Sequence, residues 1–373
     1  MYESEFPLDE AVIYLNHAAV SPWPQRTATA VKDFADENTS LGSRNYQQWV
    51  AVESLLKKQL QQLVNADSSD EIALLKNTSE ALSVVAYGLP WKPGDKVVIT
   101  SQEFPSNRVI WESLKKLGVN TCAADLLQHD TPEAAIIDCL DENTRLLSVS
   151  SVQYGTGLKL DLAVLGAACR DRGVLFCVDA IQSLGAEVFD VHDCQADFVM
   201  ADGHKWMLGP EGIALFYCRR KNMEHLDLKQ YGWHMLEDAL NFDQHSWKIA
   251  GTARRFECGS PNMTGIHALH ASMTLIHEIG MLKISQLVHE NTRFMIDFLT
   301  QRADRYRLIT PAAARQHAGI VTFRPLNESP ESLHDTLTQE NVACALRGGG
   351  IRFSPHFYTP RKKLFKALEM LDG

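Results

Sequence analysis

Between about residues 70 and 217, short apolar runs alternate with amphipathic stretches. The apolar runs at Lys96–Thr100, 145–152 and 174–178 predict buried strands, and the apolar residues of Leu162–Arg172 predict a helix. Strands that alternate with helices are typical of a mainly parallel sheet with helices on both faces. This region therefore predicts an α/β domain.

The pattern changes after about residue 275. Two long apolar-rich stretches, 265–278 and 281–302, predict helices, and shorter strands and helices follow them. We therefore expect two domains, in keeping with a length of 373 residues. The large domain covers 15–274, and a small α+β domain combines 1–14 with 275–373.

The composition narrows the class of function. Hydrophobic residues make up 45% of the chain, and the formal net charge is −10 with no long basic run. This acidic balance argues against sequence-independent nucleic-acid binding. No apolar stretch reaches membrane-spanning length, and the acidic N-terminus shows no signal peptide. We therefore expect a cytoplasmic protein that neither binds nucleic acid nor enters a membrane.

The eight cysteines occur singly, with no CxxC pair, and several lie in apolar runs. This spacing is typical of reduced, buried thiols and not of a disulfide framework or a zinc site. His267 and His270 have helical spacing, but no acidic or cysteine ligand completes a set with them. We therefore expect no metal.

The stretch 196–212, ADFVMADGHKWMLGPEG, places Lys205 in a tight loop between two apolar runs. Trp206 and further apolar residues follow it directly. A lysine among such neighbours loses hydration, which lowers its pKa and makes the amine nucleophilic. Lys205 is thus either a Schiff-base lysine or a surface lysine in a hairpin, and this stretch alone favours neither.

Polar residues upstream of Lys205 are compatible with a cofactor site or with plain structural roles. Thr78 and Ser79 lie at the start of an apolar helix. The free N–H groups there either bind a phosphate or bond to an ordinary capping side chain. Phe104 and Gln153 follow apolar strands, at the edge where α/β sheets gather ligands, although Phe104 also suits a core. Asp179 closes an apolar strand and needs a partner: a helix N-terminus, an arginine or a protonated pyridine nitrogen.

Several motifs, taken in order, carry a family resemblance. They are YLNHAA near the N-terminus, EFPS at 103–106, VDAIQ at 178–182, GHKW at 203–206 and RFSPH at 352–356. Over nearly its whole length the chain resembles the class V aminotransferase family of fold type I pyridoxal-phosphate (PLP) enzymes, and most of all its isopenicillin-N-epimerase-like branch. The family also includes cysteine desulfurases, selenocysteine lyase and kynureninase. The resemblance implies a large PLP-binding domain with a mainly parallel, seven-stranded sheet between helices, and a smaller α+β C-terminal domain.

The resemblance also implies a role for each matching residue. Lys205 corresponds to the lysine that forms a Schiff base with pyridoxal 5′-phosphate, and Asp179 to the carboxylate that keeps the pyridine nitrogen protonated. Arg352 corresponds to the arginine that binds the substrate carboxylate, and His17 is a candidate substrate contact or second base. Further cofactor contacts are implied at Thr78, Ser79, Phe104, Gln153, Gln182, His204 and Ser260.

Two positions depart from the family pattern. Asp202 stands where many relatives have serine, and its carboxylate would repel a phosphate, so we assign it no phosphate contact. Desulfurases carry a cysteine on a mobile loop ahead of the late arginine. Here Cys344 lies in the apolar run 342–346, which favours a structural role and weakens the desulfurase hypothesis.

We therefore predict a PLP-dependent enzyme that acts on an amino acid through Lys205, by aminotransferase or epimerase-like chemistry. The alternatives are a β-lyase of the cysteine desulfurase or selenocysteine lyase kind, and a non-catalytic PLP-binding protein. Gly259 and Ser260 correspond to a loop that reaches the phosphate of the neighbouring subunit, so we also expect a homodimer. The identity of the amino acid stays open.

Overall fold

The computed structural model describes residues 2–243 and 245–372 of the chain. Thirteen strands in these residues form one sheet of seven strands, one of four and one of two. The strands are β1 (Ile13–Tyr14), β2 (Ile72–Leu75), β3 (Lys96–Thr100), β4 (Asn120–Ala124), β5 (Thr144–Ser150), β6 (Leu175–Asp179), β7 (Phe198–Asp202), β8 (Ala214–Cys218), β9 (Tyr306–Leu308), β10 (Val321–Pro325), β11 (Val342–Ala343), β12 (Ala345–Arg347) and β13 (Gly350–Phe353).

Ten α-helices occur in the same part of the chain. Asn77, Asp161 and Asn262 each cap one of them, because their side chains accept a backbone N–H from the first turn. None of the helices in the described ranges is long and apolar enough to cross a membrane. The helices are α1 (Gln25–Leu41), α2 (Tyr46–Val64), α3 (Thr78–Gly88), α4 (Ser106–Glu112), α5 (Pro132–Asp138), α6 (Leu162–Arg172), α7 (Met263–Ile279), α8 (Met281–Thr300), α9 (Pro330–Gln339) and α10 (Arg361–Glu369).

The seven-stranded sheet has the order β2-β8-β7-β6-β5-β3-β4. β4, β3, β5, β6 and β7 run parallel, which confirms the predicted mainly parallel sheet. β8 runs antiparallel to both β7 and β2. The loop 203–213 between β7 and β8 is too short for a crossover to a parallel strand, so the chain must return in the opposite direction.

The central strands are apolar on both faces because helices cover both. Successive residues of β6 belong to different core clusters: Phe176 and Val178 pack on one face, and Cys177 packs on the other. The same division occurs in β7, where Val199 and Met200 belong to opposite clusters. Burial on both faces explains why these strands appear in the sequence as continuous apolar runs without alternation.

The C-terminal part contains an antiparallel sheet with the order β12-β13-β10-β9 and its own apolar core. β1, from the N-terminus, pairs with β11 of this part. β12 and β13 are joined by Gly348 and Gly349, whose φ angles of 61° and 80° are typical of a two-residue hairpin turn. The domain boundaries at 15–274, and at 1–14 with 275–373, stay a prediction.

Candidate functional site

The candidate site lies at the carboxyl edge of the large sheet. β5, β6 and β7 are parallel and end at Ser150, Asp179 and Asp202, so these residues meet at one edge. They line one cavity of about 330 Å³ together with Lys205 and Arg352. Because Arg352 belongs to β13, the large sheet and the C-terminal sheet both contribute to this cavity.

Lys205 is held in the tight loop between β7 and β8. The loop closes on itself because the N–H of Gly209 donates to the carbonyl of Gly203 at 2.8 Å. The neighbouring Trp206 is fully buried, and its indole N–H donates to Oε1 of Gln182 at 2.8 Å. These contacts fix the backbone around Lys205, so the amine is presented to the cavity from a rigid segment.

Lys205 and Asp179 influence each other electrostatically within the cavity. Asp179 is 2% exposed, and its Oδ1 accepts the N–H of Ile181 at 3.1 Å. Burial raises the pKa of Asp179, whereas that N–H group and Lys205 lower it in part. Burial lowers the pKa of Lys205, against the attraction of Asp179, and the charge of Arg352 lowers it further. The neutral, nucleophilic form of the amine is therefore more populated than in a surface lysine.

The N-terminus of α3 and the Lys205 loop form one end of the cavity. Thr78 is 4% exposed, and both its Oγ1 and Nδ1 of His204 are buried without a hydrogen-bond partner among the described residues. Ser79 Oγ donates to Ser106 Oγ at 2.8 Å at the same end. Burial and Lys205 lower the pKa of His204 to about 4, so its ring is neutral at pH 7. Unpaired polar atoms beside a helix N-terminus suit a phosphate.

Phe104 and Tyr154 form an aromatic corner of the cavity. Their ring centroids lie 5.1 Å apart with the planes at 86°. Phe104 is 41% exposed, and Nζ of Lys205 lies 5.7 Å from its ring centroid. A free aromatic face beside Lys205 suits a flat ring. Sequence analysis singled out Phe104 but missed Tyr154.

The two glutamines that were predicted near the cofactor ring occupy different places. Gln182 lines the cavity, although its amide is already engaged with a backbone carbonyl and an indole N–H. Gln153 is fully buried behind the cavity wall, and its Nε2 donates to Thr100 Oγ1 and Glu103 Oε1, each at 3.2 Å. In this segment Tyr154, and not Gln153, lines the cavity.

Sequence analysis also missed a structural role for Glu103, a buried carboxylate directly before Phe104. Glu103 is 6% exposed, and it accepts hydrogen bonds from Thr100 Oγ1 at 2.9 Å and Asn107 Nδ2 at 2.9 Å. It also accepts the N–H of Ser150 at 3.0 Å. Charge-assisted hydrogen bonds of this kind tie β3, β5 and α4 together behind the aromatic corner. A glutamate three residues after the end of the apolar strand β3 was the available signal.

Arg352 and Arg347 line the cavity from neighbouring strands. Arg352 is 3% exposed; its Nη1 donates to the carbonyl of Tyr154 at 2.9 Å and its Nη2 to Asn16 Oδ1 at 3.4 Å. Its Nε is buried without a partner among the residues described. Burial, and then the charge of Arg347, lower the pKa of Arg352 to about 10. A buried guanidinium with a free donor and only neutral hydrogen-bond partners suits a carboxylate ligand. Sequence analysis missed Arg347.

The structure places His17 outside the lining of the Lys205 cavity. Its ring is fully buried and does not line the cavity. Nδ1 lies 2.8 Å from the carbonyl oxygen of Ser354, and Nε2 lies 2.7 Å from the hydroxyl of Tyr358. Since a carbonyl only accepts, Nδ1 carries the proton and Nε2 accepts from the tyrosine. Burial, and then His356, hold the pKa of His17 well below its usual range. His17 is thus a neutral residue whose two ring nitrogens are both engaged, and this geometry gives no support to the predicted substrate contact or second base.

Ser260 and Cys344 lie away from the cavity. Ser260 lines a separate depression with Lys76 and Glu80, so it does not reach the Lys205 cavity of its own chain. Cys344 packs against the core of the C-terminal sheet, and burial raises the pKa of its thiol to about 12. No cysteine within the described ranges lines the Lys205 cavity.

The chain is similar in sequence to known proteins. The family model for class V aminotransferases matches residues 13–357. The chain belongs to this family. A probable cysteine desulfurase of Pyrococcus abyssi is 28% identical over 390 residues, which cover 99% of this chain and 95% of that protein. The uncharacterized aminotransferase YcbU of Bacillus subtilis is 26% identical over 373 residues, with coverages of 99% and 96%.

The fold agrees with that of solved family members. The apo structure of a cysteine desulfurase from Thermococcus onnurineus NA1 superimposes with a TM-score of 0.87. The two chains are 26% identical, and the match covers 100% of this chain and 96% of that one. The expected fold type I architecture is therefore confirmed.

Class V aminotransferases are PLP-dependent enzymes, and the chain is an enzyme of this kind. The cavity fits the cofactor. The unpaired polar atoms of Thr78 and His204 suit its phosphate, and the exposed face of Phe104 suits its ring. Asp179 offers a carboxylate for the pyridine nitrogen, and Lys205 offers a desolvated amine for the aldehyde.

Proposed function

We propose that this chain is a β-lyase that acts on a sulfur-containing amino acid and releases the sulfur product directly into solution. The observation that carries the proposal is the lining of the cavity, which holds Lys205 and Arg352 but no cysteine among the described residues. The two-residue turn between β12 and β13 leaves no room there for a loop that would bring a thiol to the cavity. Relatives named as cysteine desulfurases support a sulfur amino acid as the substrate.

Two ways of breaking the Cβ–S bond of cysteine have different requirements. When alanine is formed, the sulfur passes to a thiol: cysteine and a thiol become alanine and a persulfide. In β-elimination the Cα proton and the thiolate leave, and water completes the conversion to pyruvate, ammonia and hydrogen sulfide. The second route needs a base and no thiol. Because the cavity supplies a base and no thiol, its geometry favours elimination.

The residues of the cavity then divide the work. Arg352 binds the α-carboxylate of the substrate through its free N–H donor and so orients Cα. Lys205, with its pKa lowered by burial, takes the Cα proton. PLP, when bound, supplies the electron sink for the electrons of the broken Cα–H bond. Asp179 keeps a negative charge at the pyridine nitrogen, which preserves the electron demand of the ring.

The products decide between the two routes. Purified holoprotein is incubated with L-cysteine and, separately, with L-cystine, and pyruvate, ammonia, sulfide and alanine are measured over time. We expect pyruvate and ammonia in equal amounts and no alanine. Alanine as the main product would refute the proposal. Cys344→Ser should keep the full rate, whereas loss of turnover in this variant would support a route in which Cys344 accepts the sulfur.

Lys205→Ala tests the base. Its removal should lower turnover by a factor of ~10³ or more, because the Cα proton then has no acceptor in the cavity. Borohydride should fix the cofactor covalently in the wild-type protein and not in the variant. A variant that keeps its turnover, or a cofactor fixed at another residue, would refute the role of Lys205.

Transamination is the second candidate, and the likeness to the aminotransferase of Bacillus subtilis favours it. It also uses Lys205 as the proton carrier and Arg352 as the carboxylate site. In the same assay it would give a keto acid without ammonia, and continued turnover would require a second keto acid. Epimerisation loses support because His17, its predicted second base, lies outside the cavity. Bound PLP with no product from any amino acid would indicate a non-catalytic protein.

We also propose a homodimer in which Gly259 and Ser260 reach the phosphate site of the partner. The position of Ser260 outside the cavity of its own chain supports this arrangement. Mixing inactive Lys205→Ala and Ser260→Asp proteins under subunit exchange should restore activity, and a lack of restoration would count against the shared site. The eight free cysteines support a cytoplasmic location, which cell fractionation tests.

A further inference from the structure

A carboxylate occupies the end of the cavity that suits a phosphate. Asp202 ends β7 and lines the cavity, and its Oδ1 accepts the N–H of Thr78 at 2.9 Å. Its Oδ2 lies 3.5 Å from Nδ1 of His204. Asp202 thus takes one of the free N–H groups at the start of α3, a group that a bound anion would otherwise use.

Two buried polar atoms beside Asp202 remain without partners. They are Oγ1 of Thr78, which is 4% exposed, and Nδ1 of His204. Because the described residues give neither atom a hydrogen bond, both can bond to a ligand: a hydroxyl donates or accepts, and Nδ1 of a neutral imidazole does either according to its tautomer. Two anions, a phosphate and an ionised Asp202, would then share one partly buried site and repel each other.

The charges around Asp202 are mixed. Lys205 attracts the carboxylate, Glu211 repels it, and Asp179 at the end of the neighbouring strand is a second buried acid. Burial is the largest influence and raises the pKa of Asp202 to about 6, against the stabilising N–H of Thr78. The carboxyl group therefore takes up a proton more readily than a surface aspartate does.

We propose that Asp202 holds the PLP phosphate as a neutral carboxyl group, which donates its O–H to a phosphate oxygen, so that cofactor binding takes up one proton from solvent. Asp202 would then replace the serine hydroxyl that many relatives carry at this position. The role concerns cofactor retention and is independent of which bond the enzyme breaks in its substrate.

The sign of the pH dependence follows from the proton taken up. Above about pH 6 the free protein carries ionised Asp202, which must be protonated before or during binding. Affinity for PLP should therefore fall with rising pH, by up to about tenfold per pH unit. Near pH 8 the affinity should be roughly 50-fold below its value at pH 6, where about half of Asp202 is already protonated.

The experiment compares PLP with pyridoxal, which lacks the phosphate. Dissociation constants of both are measured by absorbance between pH 6.5 and 8.5 for the wild-type protein, for Asp202→Asn and for Glu211→Gln. Both ligands react with Lys205, so the ratio of their dissociation constants isolates the phosphate. We expect the advantage of PLP to shrink with pH in the wild-type protein and in Glu211→Gln, and to stay constant in Asp202→Asn.

Calorimetry gives a second readout that needs no variant. PLP binding at pH 8 in buffers of different ionisation enthalpy should show about one more proton taken up than pyridoxal binding. Equal proton uptake for the two ligands would overturn the proposal. The proposal would also be overturned if the ratio of the dissociation constants of PLP and pyridoxal changed equally with pH in the wild-type protein and in Asp202→Asn. Should the asparagine variant fold poorly, Asp202→Ser provides the neutral side chain, and the calorimetric result stands on its own.

Discussion

Replacement of Arg352 by methionine should make the protein more stable and at the same time unable to bind its substrate. Arg352 is 3% exposed, and its hydrogen-bond partners are the neutral oxygens of Tyr154 and Asn16. The positive charge of Arg347 repels it. A buried guanidinium without a counter-charge destabilises the folded chain, and methionine removes the charge while it fills a similar volume.

The size of the effect follows from the pKa. Burial and Arg347 lower the pKa of Arg352 from its ordinary value to about 10, which is equivalent to roughly 3 kcal/mol. The lost hydrogen bond to Tyr154 offsets about 1 kcal/mol. The net gain is about 2 kcal/mol, and at ~2.1 cal/mol/K of unfolding entropy per residue it raises Tm by about 2–3 °C.

Substrate binding should change in the opposite direction. A carboxylate bound by the free N–H donor of Arg352, through one charge-assisted hydrogen bond that contributes about 1.5–3 kcal/mol, loses at least about 10-fold in affinity when the guanidinium is removed. Thermal unfolding of the protein and titration of its visible band with an amino acid measure the two effects. The control is Arg347→Met, which removes an exposed guanidinium from the same cavity and should shift Tm by less than about 1 °C.

Two results would refute this reasoning. A folded Arg352→Met protein with a lower Tm would show that the guanidinium stabilises the chain, and so has a counter-charge in solution. Unchanged affinity for amino acids would show that the substrate carboxylate binds elsewhere.

Two further predictions concern the stability of the fold at residues outside the cavity. Nζ of Lys57 lies 2.9 Å from a carboxylate oxygen of Glu53 and 2.8 Å from one of Glu257. Burial lowers the pKa of Lys57, but the two carboxylates raise it by more, so its net pKa is raised. The two ion pairs therefore stabilise the fold until the pH exceeds that raised pKa. Lys57→Met should lower the free energy of unfolding, measured in urea at pH 7, by about 3–5 kcal/mol. Adding Glu257→Gln to this variant should recover part of that loss, because it removes one carboxylate that is left unpaired. A loss below about 1 kcal/mol in Lys57→Met would refute the ion pairing. Gly319→Ala places its Cβ 2.3 Å from the Trp206 ring and should lower the free energy of unfolding by about 1–3 kcal/mol. The control is Gly251→Ala, whose Cβ has open space around it. Equal Tm values for the two variants would contradict this prediction.

Local patterns predicted the parts of the site that one segment builds by itself. Asp179 was recognisable because an acid at the end of an apolar strand needs a partner. Lys205 was recognisable because Trp206 and further apolar residues follow it in the sequence, and these residues are buried in the fold. The start of α3 at Thr78 followed from the capping residue Asn77, whose side chain accepts the N–H of Glu80.

Contacts between distant segments could not be predicted in the same way. Arg347 reaches the cavity only because the hairpin between β12 and β13 sets it beside Arg352. The hydrogen bonds of His17 could not be foreseen because its partners, Ser354 and Tyr358, lie more than 330 residues away in the chain. The side of an extended segment that faces the cavity also escaped prediction, so Tyr154, which lines the cavity next to Gln153, was not foreseen.

The sequence by itself determined the order of strands and helices, the buried strands of the sheet and the family to which the chain belongs. These features depend on hydrophobic period, on helix caps and on short motifs, all of which act over a few neighbouring residues. Only the tertiary structure decided which polar side chains face the cavity, which of them are already paired, and which charges remain without a counter-charge. Burial and pairing depend on residues that are distant in the chain, and they set the pKa values of Asp202 and Arg352.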